Sequence, residues 1–531
     1  MDKLNTLNIK INKAIANIKN QYLSDEENYP WLIGYSGGKD STCTSQLVFK
    51  ALIELKEAGF CLKRKVVIYS SDTMIENPLV KEIVSNNIDL INKASEKYNL
   101  PVEAYILKPD KAKTFWVNII GRGYPNPNTN FRWCTDRLKI EPANSFVKKN
   151  IDESGEVIIL LGVRQGESST RDRVINSRSI DGENLSRHPS LSNAFVFSPI
   201  KDFETADVFM YLNQMVSPWG SNNKELYFFY EESGGGECPL FLSKEDKTSS
   251  NSCGNSRLGC WCCTVVESDK SLSGFINTGW HDDLQPLLNF RNWLFSIRDD
   301  ENYRSFYRMN GSVYTRKVEA KYDDDGKYLL IPKKGKKKEI IIRIDEDGKF
   351  SENTNFILLE VDKMSEYLKQ NNLSFKNKEM AKIILYDKIN DEYSRIGMGP
   401  YNEYGRLEIL KKLLVAEKLY NEGRKKPIEL ISDSEIEEIK KLWIKNSFDV
   451  EKIDELLSEN GRNAVSLVYD SFDINNSMYE EKLKKILSNE NLDYEVVNTL
   501  IGYEKNLVTK DKRTAMQDII DSILKADKNN Y

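Results

Sequence analysis

The chain has 531 residues, 40% hydrophobic and 30% charged, a length and mixture suited to two or three soluble domains with a buried core. Its formal charge of −5 excludes a general nucleic-acid coat or a membrane-surface protein, since either would need an excess of Lys and Arg. No apolar run approaches the length of a bilayer-spanning helix, so a cytoplasmic protein without a membrane partner is expected, with any nucleic-acid contact local or shared.

Leu4, Leu7, Ile11, Ile15 and Ile18 recur at helical intervals with Lys and Asn between them, which predicts an amphipathic helix over residues 1–30 rather than a signal peptide. Trp31–Tyr35 reads as a buried strand and Ser41–Leu55 as the helix after it. Lys65–Ser70 is a second strand, followed by a helix over Val80–Tyr98. Val102–Leu107 and Glu156–Gly162 are further strands, and the strand-like Phe195–Ser198 precedes a short helix at Glu204–Gln214. Strands alternating with helices predict an α/β fold with a parallel sheet over residues 31–220. Ligands of such sheets lie beyond the carboxyl ends of the strands, so SGGKDST, SDTMIE and GVRQGESSTR should line one crevice.

Residues 221–285 contain a Gly-, Ser- and Cys-rich stretch, Gly234–Cys263, that cannot bury much apolar surface and needs something else to order it. Residues 286–531 read as mainly helical, with a β-hairpin, Tyr328–Ile331 and Glu339–Ile344, around the basic tip Lys333–Lys338. The charge runs of Gly405–Tyr531 read as solvated helix faces, and a nucleic-acid contact at the basic tip is the functional alternative. No internal repeat is visible.

The loop YSGGKDSTC, Tyr35–Cys43, lacks the G-x-x-x-x-G-K-[ST] spacing of a Walker A loop. Its adjacent Gly37 and Gly38 suit a tighter turn in which backbone N–H groups face an anion. Ser36, Ser41 and Thr42 add hydroxyls, and the following helix adds its positive end. Such a nest suits the pyrophosphate end of ATP. Lys39 would meet phosphate charge, while Asp40 would hold magnesium or anchor the turn. Downstream, Gly162, Arg164, Glu167 and Arg171 form G-x-R-x-x-E-S-x-x-R after a predicted strand. Arginine pairs with phosphate through two hydrogen bonds and stays charged, which favours a phosphate role over surface ion pairing. Arg132, Arg137 and Lys139 add positive character to the same mouth.

Cysteine use is uneven: Cys43, Cys61 and Cys134 are scattered, whereas Cys238, Cys253, Cys260, Cys262 and Cys263 crowd together. In a reducing compartment such crowding indicates metal or redox chemistry. Cys238, Cys253, Cys260 and Cys263 are spaced C-x14-C-x6-C-x2-C, a set that suits zinc or an iron–sulfur cluster, and Cys262 is a possible replacement for one of them. Cys134 lies between Arg132 and Arg137, whose charges would raise its thiolate fraction, as sulfur transfer requires. Only His188 and His281 exist, which leaves little material for a Ser–His or Cys–His pair or a histidine-based metal site.

SGGKDST resembles the pyrophosphate loop of the ATP pyrophosphatases, which cleave ATP between its α and β phosphates. YSSDTMIE (Tyr69–Glu76), RWCTDRLKIEP (Arg132–Pro142), LLGVRQGESSTR (Leu160–Arg171) and SPIKDFETADVFMYL (Ser198–Leu212) extend the likeness to the PAPS reductase branch. That resemblance implies a Rossmann-like fold, pyrophosphate contacts from Ser36 through Thr42, and Asp72 near the nucleoside. With GECPL…SCGNSRLGCWCCTVV and a helical extension behind it, the chain is similar to the DndC family, sulfurtransferases of DNA phosphorothioate modification. That family implies ATP, Mg2+ and a four-iron four-sulfur cluster. It also implies a DNA phosphate as substrate, a cysteine desulfurase as sulfur donor, and further phosphorothioation subunits as partners in a restriction–modification setting. Its members usually lack a cysteine at the position of Cys262. An adenylyl-sulfate reductase is a rival, opposed by the lack of any cysteine after Cys263. A non-catalytic, nucleotide-gated DNA-binding subunit is a third reading, opposed by the intact loop.

Overall fold

The structure, a computed structural model, describes residues 2–467 apart from 25–26, 166–184, 234–258, 309, 333–338, 346–348, 351–354, 376 and 447. Met1–Val465 form one compact unit and Ser466–Tyr531 another. The helical expectation for 468–531 and the basic tip Lys333–Lys338 lie outside the described residues.

Helix α1 (Asp2–Leu23) buries Leu7, Ile11, Ile15 and Ile18, whereas Leu4 stays 45% exposed, so the apolar seam begins one turn later than the spacing predicts. The seam faces α2 (Lys39–Glu57) and shares one core with the sheet. In β1 (Trp31–Gly34), Trp31, Leu32 and Ile33 are wholly buried, as a central parallel strand with helices on both faces demands. The α/β layer continues through β2 (Val66–Ser71), α3 (Pro78–Tyr98) and β3 (Val102–Leu107). Asn77 caps α3 by accepting from the Leu79 N–H at 3.0 Å, with Pro78 at the first helical position.

After a wide π-helical turn at Val117–Gly121 comes α4 (Trp133–Thr135), a second such turn at Asp136–Ile140, and α5 (Glu141–Ser154). Next come β4 (Val157–Leu160), the short β5 (Leu185–Arg187), β6 (Ala194–Phe197), α6 (Thr205–Gln214) and α7 (Asn223–Ser233). The sheet order is β3-β2-β1-β4-β6-β5, parallel except at the β5 edge. Strand order reverses at β1, which lies between β2 and β4, and a crevice opens beyond the carboxyl ends at such a reversal.

Helices α8 (Lys270–Asn277) and α9 (Gln285–Ile297) lead to a second sheet. It holds β7 (Thr315–Asp323), β8 (Gly326–Pro332), β9 (Glu339–Arg343) and β10 (Ile357–Glu360), then α10 (Met364–Gln370), β11 (Ile383–Asp387) and β12 (Glu392–Ile396), in the order β10-β11-β12-β7-β8-β9. The predicted hairpin is β8–β9, two of its six strands. The sequence does not announce β7 and β12: the charges of TRKVEAKYD and EYSRI fall on both faces of the strands and break the apolar alternation. Beyond this sheet, α11 (Glu403–Asn421), α12 (Asp433–Lys445) and α13 (Glu451–Glu459) pack back onto the α/β core through Ile409, Leu413, Ile439, Trp443 and Leu457. Two indole N–H groups fasten them, Trp116 donating to the Leu430 carbonyl at 2.7 Å and Trp443 to that of Ile120 at 2.9 Å.

Candidate functional site

The turn between β1 and α2 is shaped by its own residues. Gly37 has φ +72°, and a Cβ there would lie 2.5 Å from Val84 Cγ2, so both backbone and space require glycine. Ser36 and Ser41 hydroxyls stand 3.1 Å apart; Ser41 Oγ accepts from the Ser36 N–H at 3.2 Å and donates to the Gly38 carbonyl at 3.0 Å. Helix α2 starts at Lys39 without a side-chain cap on its Gly38 N-cap, which leaves a positive helix end facing the crevice. One first-turn donor is engaged: the Lys39 N–H meets the Tyr230 hydroxyl of α7 at 3.2 Å.

Asp40 is balanced by two cations, Lys39 Nζ at 3.0 Å and Arg164 Nε at 2.7 Å. Arg164 is 5% exposed and also donates to Thr205 Oγ1 at 3.0 Å. Arg164, expected at a phosphate, thus lies beside the loop, where its guanidinium neutralises Asp40. The Lys39 ammonium lies 5.6 Å from the Tyr230 ring centroid and 5.9 Å from that of Phe209. Burial works against its charge, but Tyr230 and Asp40 outweigh that and hold its pKa above the ordinary lysine value. Gly162 likewise has a steric role: a Cβ would lie 2.8 Å from the Asp40 carbonyl carbon and oxygen, so glycine lets the end of β4 touch the loop. Glu167 and Arg171 lie outside the described residues.

Beyond β2, the Asp72 carboxylate accepts from the Met74 N–H at 2.7 Å and lies 3.8 Å from Lys81 Nζ. Met74 is held at φ +64°, a conformation that a non-glycine residue adopts only when its surroundings impose it. The segment so shaped receives the cysteine turn. The Trp261 N–H donates to the Ile75 carbonyl at 3.1 Å, Glu76 and Cys260 form an isolated antiparallel bridge, and Thr73 Oγ1 lies 3.7 Å from Cys260 Sγ. Within the turn the Cys263 N–H donates to the Cys260 carbonyl at 3.1 Å. Cys262 is wholly buried and Trp261 packs against Trp116 and Phe290, whereas Cys260 and Cys263 are half-buried. Aromatic pairs of this kind contribute about 0.5–1.5 kcal/mol each beyond area burial.

Cys134, half-buried on α4, acts electrostatically on both Cys260 and Cys262 and so belongs to the same neighbourhood. Burial pushes the Cys260 thiol up to about 12, with Lys139 opposing and Glu76, Cys263 and Cys134 adding to the rise. Arg137, expected as a charge at the mouth, donates to Asn118 Oδ1 and to the Tyr124 hydroxyl, both at 2.8 Å. Cys238 and Cys253 lie outside the described residues; among the described ones, no three His, Cys, Asp or Glu side chains are placed to hold a metal ion. The donor chemistry of the Cys260–Cys263 turn, two half-buried thiols beside a third at Cys134, fits a soft metal or a cluster.

Sequence reasoning missed the residues that fasten this turn. Arg291 of α9, wholly buried, donates to the carbonyls of Cys263 at 2.8 Å and Glu267 at 2.7 Å, and to that of Val266. Arg298 donates to the Thr264 carbonyl at 2.7 Å, and Thr264 Oγ1 to the Pro127 carbonyl at 2.8 Å. Nothing in NFRNWLFSIR marks these arginines as anything but helix-surface charges.

Residues 30–266 match the family described as the phosphoadenosine phosphosulfate reductase domain, a span that contains both the loop and the cysteine turn. The chain thus carries a PAPS reductase-like domain. Two uncharacterized proteins of Methanocaldococcus jannaschii are similar, one 28% identical over 56% of this chain and 56% of its own length, the other 24% identical over 48% and 40%. The chain therefore spans about half the length of these relatives. Among solved structures, the phosphoadenylyl-sulfate reductase of Candida auris in a phosphate complex aligns at 14% identity and TM-score 0.24, over 40% of this chain and 89% of that one. The U34-tRNA thiolase NcsA of Methanococcus maripaludis with its [4Fe-4S] cluster aligns at 12% and 0.23, over 54% and 79%.

Proposed function

We propose that the protein is an ATP-dependent sulfurtransferase that adenylates a DNA backbone phosphate, releases pyrophosphate and puts sulfur in place of a non-bridging oxygen. The observation that carries this reading is the docking of the Cys260–Cys263 turn on Thr73–Glu76, which sets thiols and the phosphate loop at the carboxyl edge of one sheet. A non-bridging oxygen of the DNA phosphate attacks the α-phosphorus of ATP, and pyrophosphate leaves. Lys39, the Gly37–Gly38 turn and the open start of α2 stabilise the charge that develops on it. The terminal sulfur of a persulfide then attacks the activated phosphorus, and AMP departs with the bonding electrons and the oxygen. A second thiol cleaves the remaining S–S bond, leaving the phosphorothioate and a disulfide.

A cysteine desulfurase would load the persulfide, with Cys134 as its carrier, in the cytoplasm and beside other phosphorothioation subunits. Mg2+ would accompany the ATP phosphates. An iron–sulfur cluster would be held by Cys260 and Cys263 together with Cys238 and Cys253, and when bound it would supply electron transfer. The position of Cys134 beside that turn makes it a second candidate ligand. Cys134→Ser separates the two roles: iron retained with sulfur transfer lost marks a carrier, and iron lost marks a ligand.

Mass spectrometry of DNA from cells with and without the gene and its operon partners tests the reading as a whole. Phosphorothioate dinucleotides are expected only with the gene, and their absence from cells whose purified protein releases pyrophosphate sinks the DNA assignment. A second reading, reduction of an adenylyl sulfate, draws on the matched family; sulfite formed from an adenylyl sulfate and a thiol reductant would favour it.

A further inference from the structure

Arg316 of β7 and Arg395 of β12 are directly opposite partners across an antiparallel pair. Like charges in that position destabilise a ladder, so a natural sheet that keeps them has a use for them. Arg395 is anchored, its Nη2 donating to the Ala381 carbonyl at 2.9 Å and its guanidinium lying 5.3 Å from the Phe356 ring centroid. Arg316 is exposed, 5.9 Å from the centroid of Tyr314, and the exposed Arg308 lies 4.8 Å from the same centroid. The Tyr314 ring is fixed by its hydroxyl, which donates to the Met398 carbonyl at 2.8 Å.

A fourth cation, buried Arg304, donates to the carbonyls of Gly399 at 2.7 Å and Arg298 at 2.6 Å. Burial lowers the pKa of Arg304 and of Arg395, and the charge of Arg316 acts in the same direction on both; Asp299 and Tyr401 oppose it at Arg304, and Glu301 at Arg395. Neither Arg308 nor Arg316 has an acidic partner within salt-bridge distance among the described residues. Arg298 in turn holds the Thr264 carbonyl next to Cys263, so a track of arginines runs from the cysteine turn to the second sheet.

We propose that Arg308, Tyr314 and Arg316 form a docking surface for a nucleic-acid strand, its backbone phosphates on the two guanidiniums. Guanidinium pairs with phosphate through two parallel hydrogen bonds, and aromatic rings set among cations are the platforms on which single strands lie. The surface would orient the acceptor strand whose reacting phosphate enters the crevice, and to that extent it rests on nucleic acid being the sulfur acceptor.

Fluorescence anisotropy of the full-length protein with a fluorescein-labelled single-stranded oligodeoxynucleotide, across a salt series, tests it. Arg308→Ala/Arg316→Ala should weaken binding on the order of tenfold and lower the salt slope by about one to two. Lys317→Ala, which removes the neighbouring cation paired with Glu392, should change neither. Arg316→Glu creates an opposite-charge pair with Arg395, so it should melt no lower than wild type while losing the oligonucleotide. Wild-type affinity in both Arg308/Arg316 variants, or no binding by the wild type, overturns the surface. So does displacement by inorganic phosphate at constant ionic strength, which marks a free-anion site, or by polyglutamate at equal charge, which marks an acidic protein partner. ATP binding, measured on the same samples, should be equal in wild type and variants, whereas pyrophosphate release, which needs the docked acceptor, should fall with oligonucleotide binding. If release is absent from all of them while oligonucleotide binding still follows the arginines, the catalytic reading fails and the surface stands.

Discussion

The phosphate loop and the cysteine turn sit on the same sheet edge but are built in opposite ways. The loop is closed by Ser36, Gly37, Gly38 and Ser41, all within one turn of the chain, and draws on distant residues for its charge balance, from Arg164, and for one backbone hydrogen bond, to Tyr230. Among the described residues, the cysteine turn has one internal backbone hydrogen bond, from Cys263 to Cys260, and is tied to the distant Ile75, Pro127, Arg291 and Arg298. A locally determined element can be read from a short motif. A remotely held one can be read only when its distant partners are known.

Loss of Lys39 tests the loop side with the largest expected effect. Lys39→Ala should cut pyrophosphate release by about 10²–10³, the usual consequence of removing one group aimed at developing charge. Because the turn is closed by its serines and glycines, the melting temperature and the iron content of anaerobically purified protein should stay at wild-type values. A variant that releases pyrophosphate normally removes the lysine from the chemistry. One that also loses iron shows that the two regions are not independent.

Loss of Arg291 tests the other side. Arg291→Met keeps much of the apolar stem but leaves the carbonyls of Cys263, Val266 and Glu267 without their donor. Three net hydrogen bonds at about 1 kcal/mol each put the cost near 3 kcal/mol. Thermal unfolding should register that loss, and iron retention should fall, while pyrophosphate release at a temperature where the variant is folded stays within a few-fold of wild type. Unchanged stability would make the arginine a bystander.

The same contrast explains what was legible. Buried runs such as WLIG and VVIYSS, followed by helical periodicity, announce a parallel sheet, and SGGKDST announces the turn, because in each the determining residues are adjacent. The second sheet was legible only at β8–β9; in β7 and β12 charges on both faces break the apolar alternation. The pairing of Arg164 with Asp40 spans 124 positions and leaves no local trace, so a phosphate role was the natural expectation for that arginine. Gly162 stands out in the sequence only as the first residue of its motif; the close approach of the end of β4 to the Asp40 carbonyl, which its lack of a side chain permits, leaves no local trace either.

Gly162→Ala therefore asks how rigidly the loop is held from outside. The new methyl would stand 2.8 Å from the Asp40 carbonyl and 3.0 Å from the Ser41 nitrogen, both backbone atoms that cannot rotate away. Overpacking of this kind costs about 1–3 kcal/mol. The shift falls on the first turn of α2, so ATP affinity should drop about tenfold with Cys134 reactivity unaltered. A variant with wild-type ATP affinity would show that the strand end yields rather than the loop.

Cys262→Ala carries the smallest effect and makes the finest distinction within the cysteine turn. Three of its four residues are Cys260, Cys262 and Cys263, and sequence spacing cannot say which of them face a metal. Cys262 is buried in the apolar core behind Trp261, the opposite environment from the half-buried Cys260 and Cys263. Its thiol is pushed well above the ordinary cysteine value, first by burial and then by the neighbouring thiols. Deleting one sulfur atom from such a site leaves a small void that costs on the order of 1 kcal/mol. The expected result is a slightly lower melting temperature with iron content and colour intact. Cys260→Ala and Cys263→Ala should show the reverse, losing iron, because theirs are the half-buried thiols of the turn. Loss of iron from Cys262→Ala with retention in Cys263→Ala would mean that the turn rotates its thiols on metal binding, and that its tie to Arg291 through the Cys263 carbonyl is remade when metal enters.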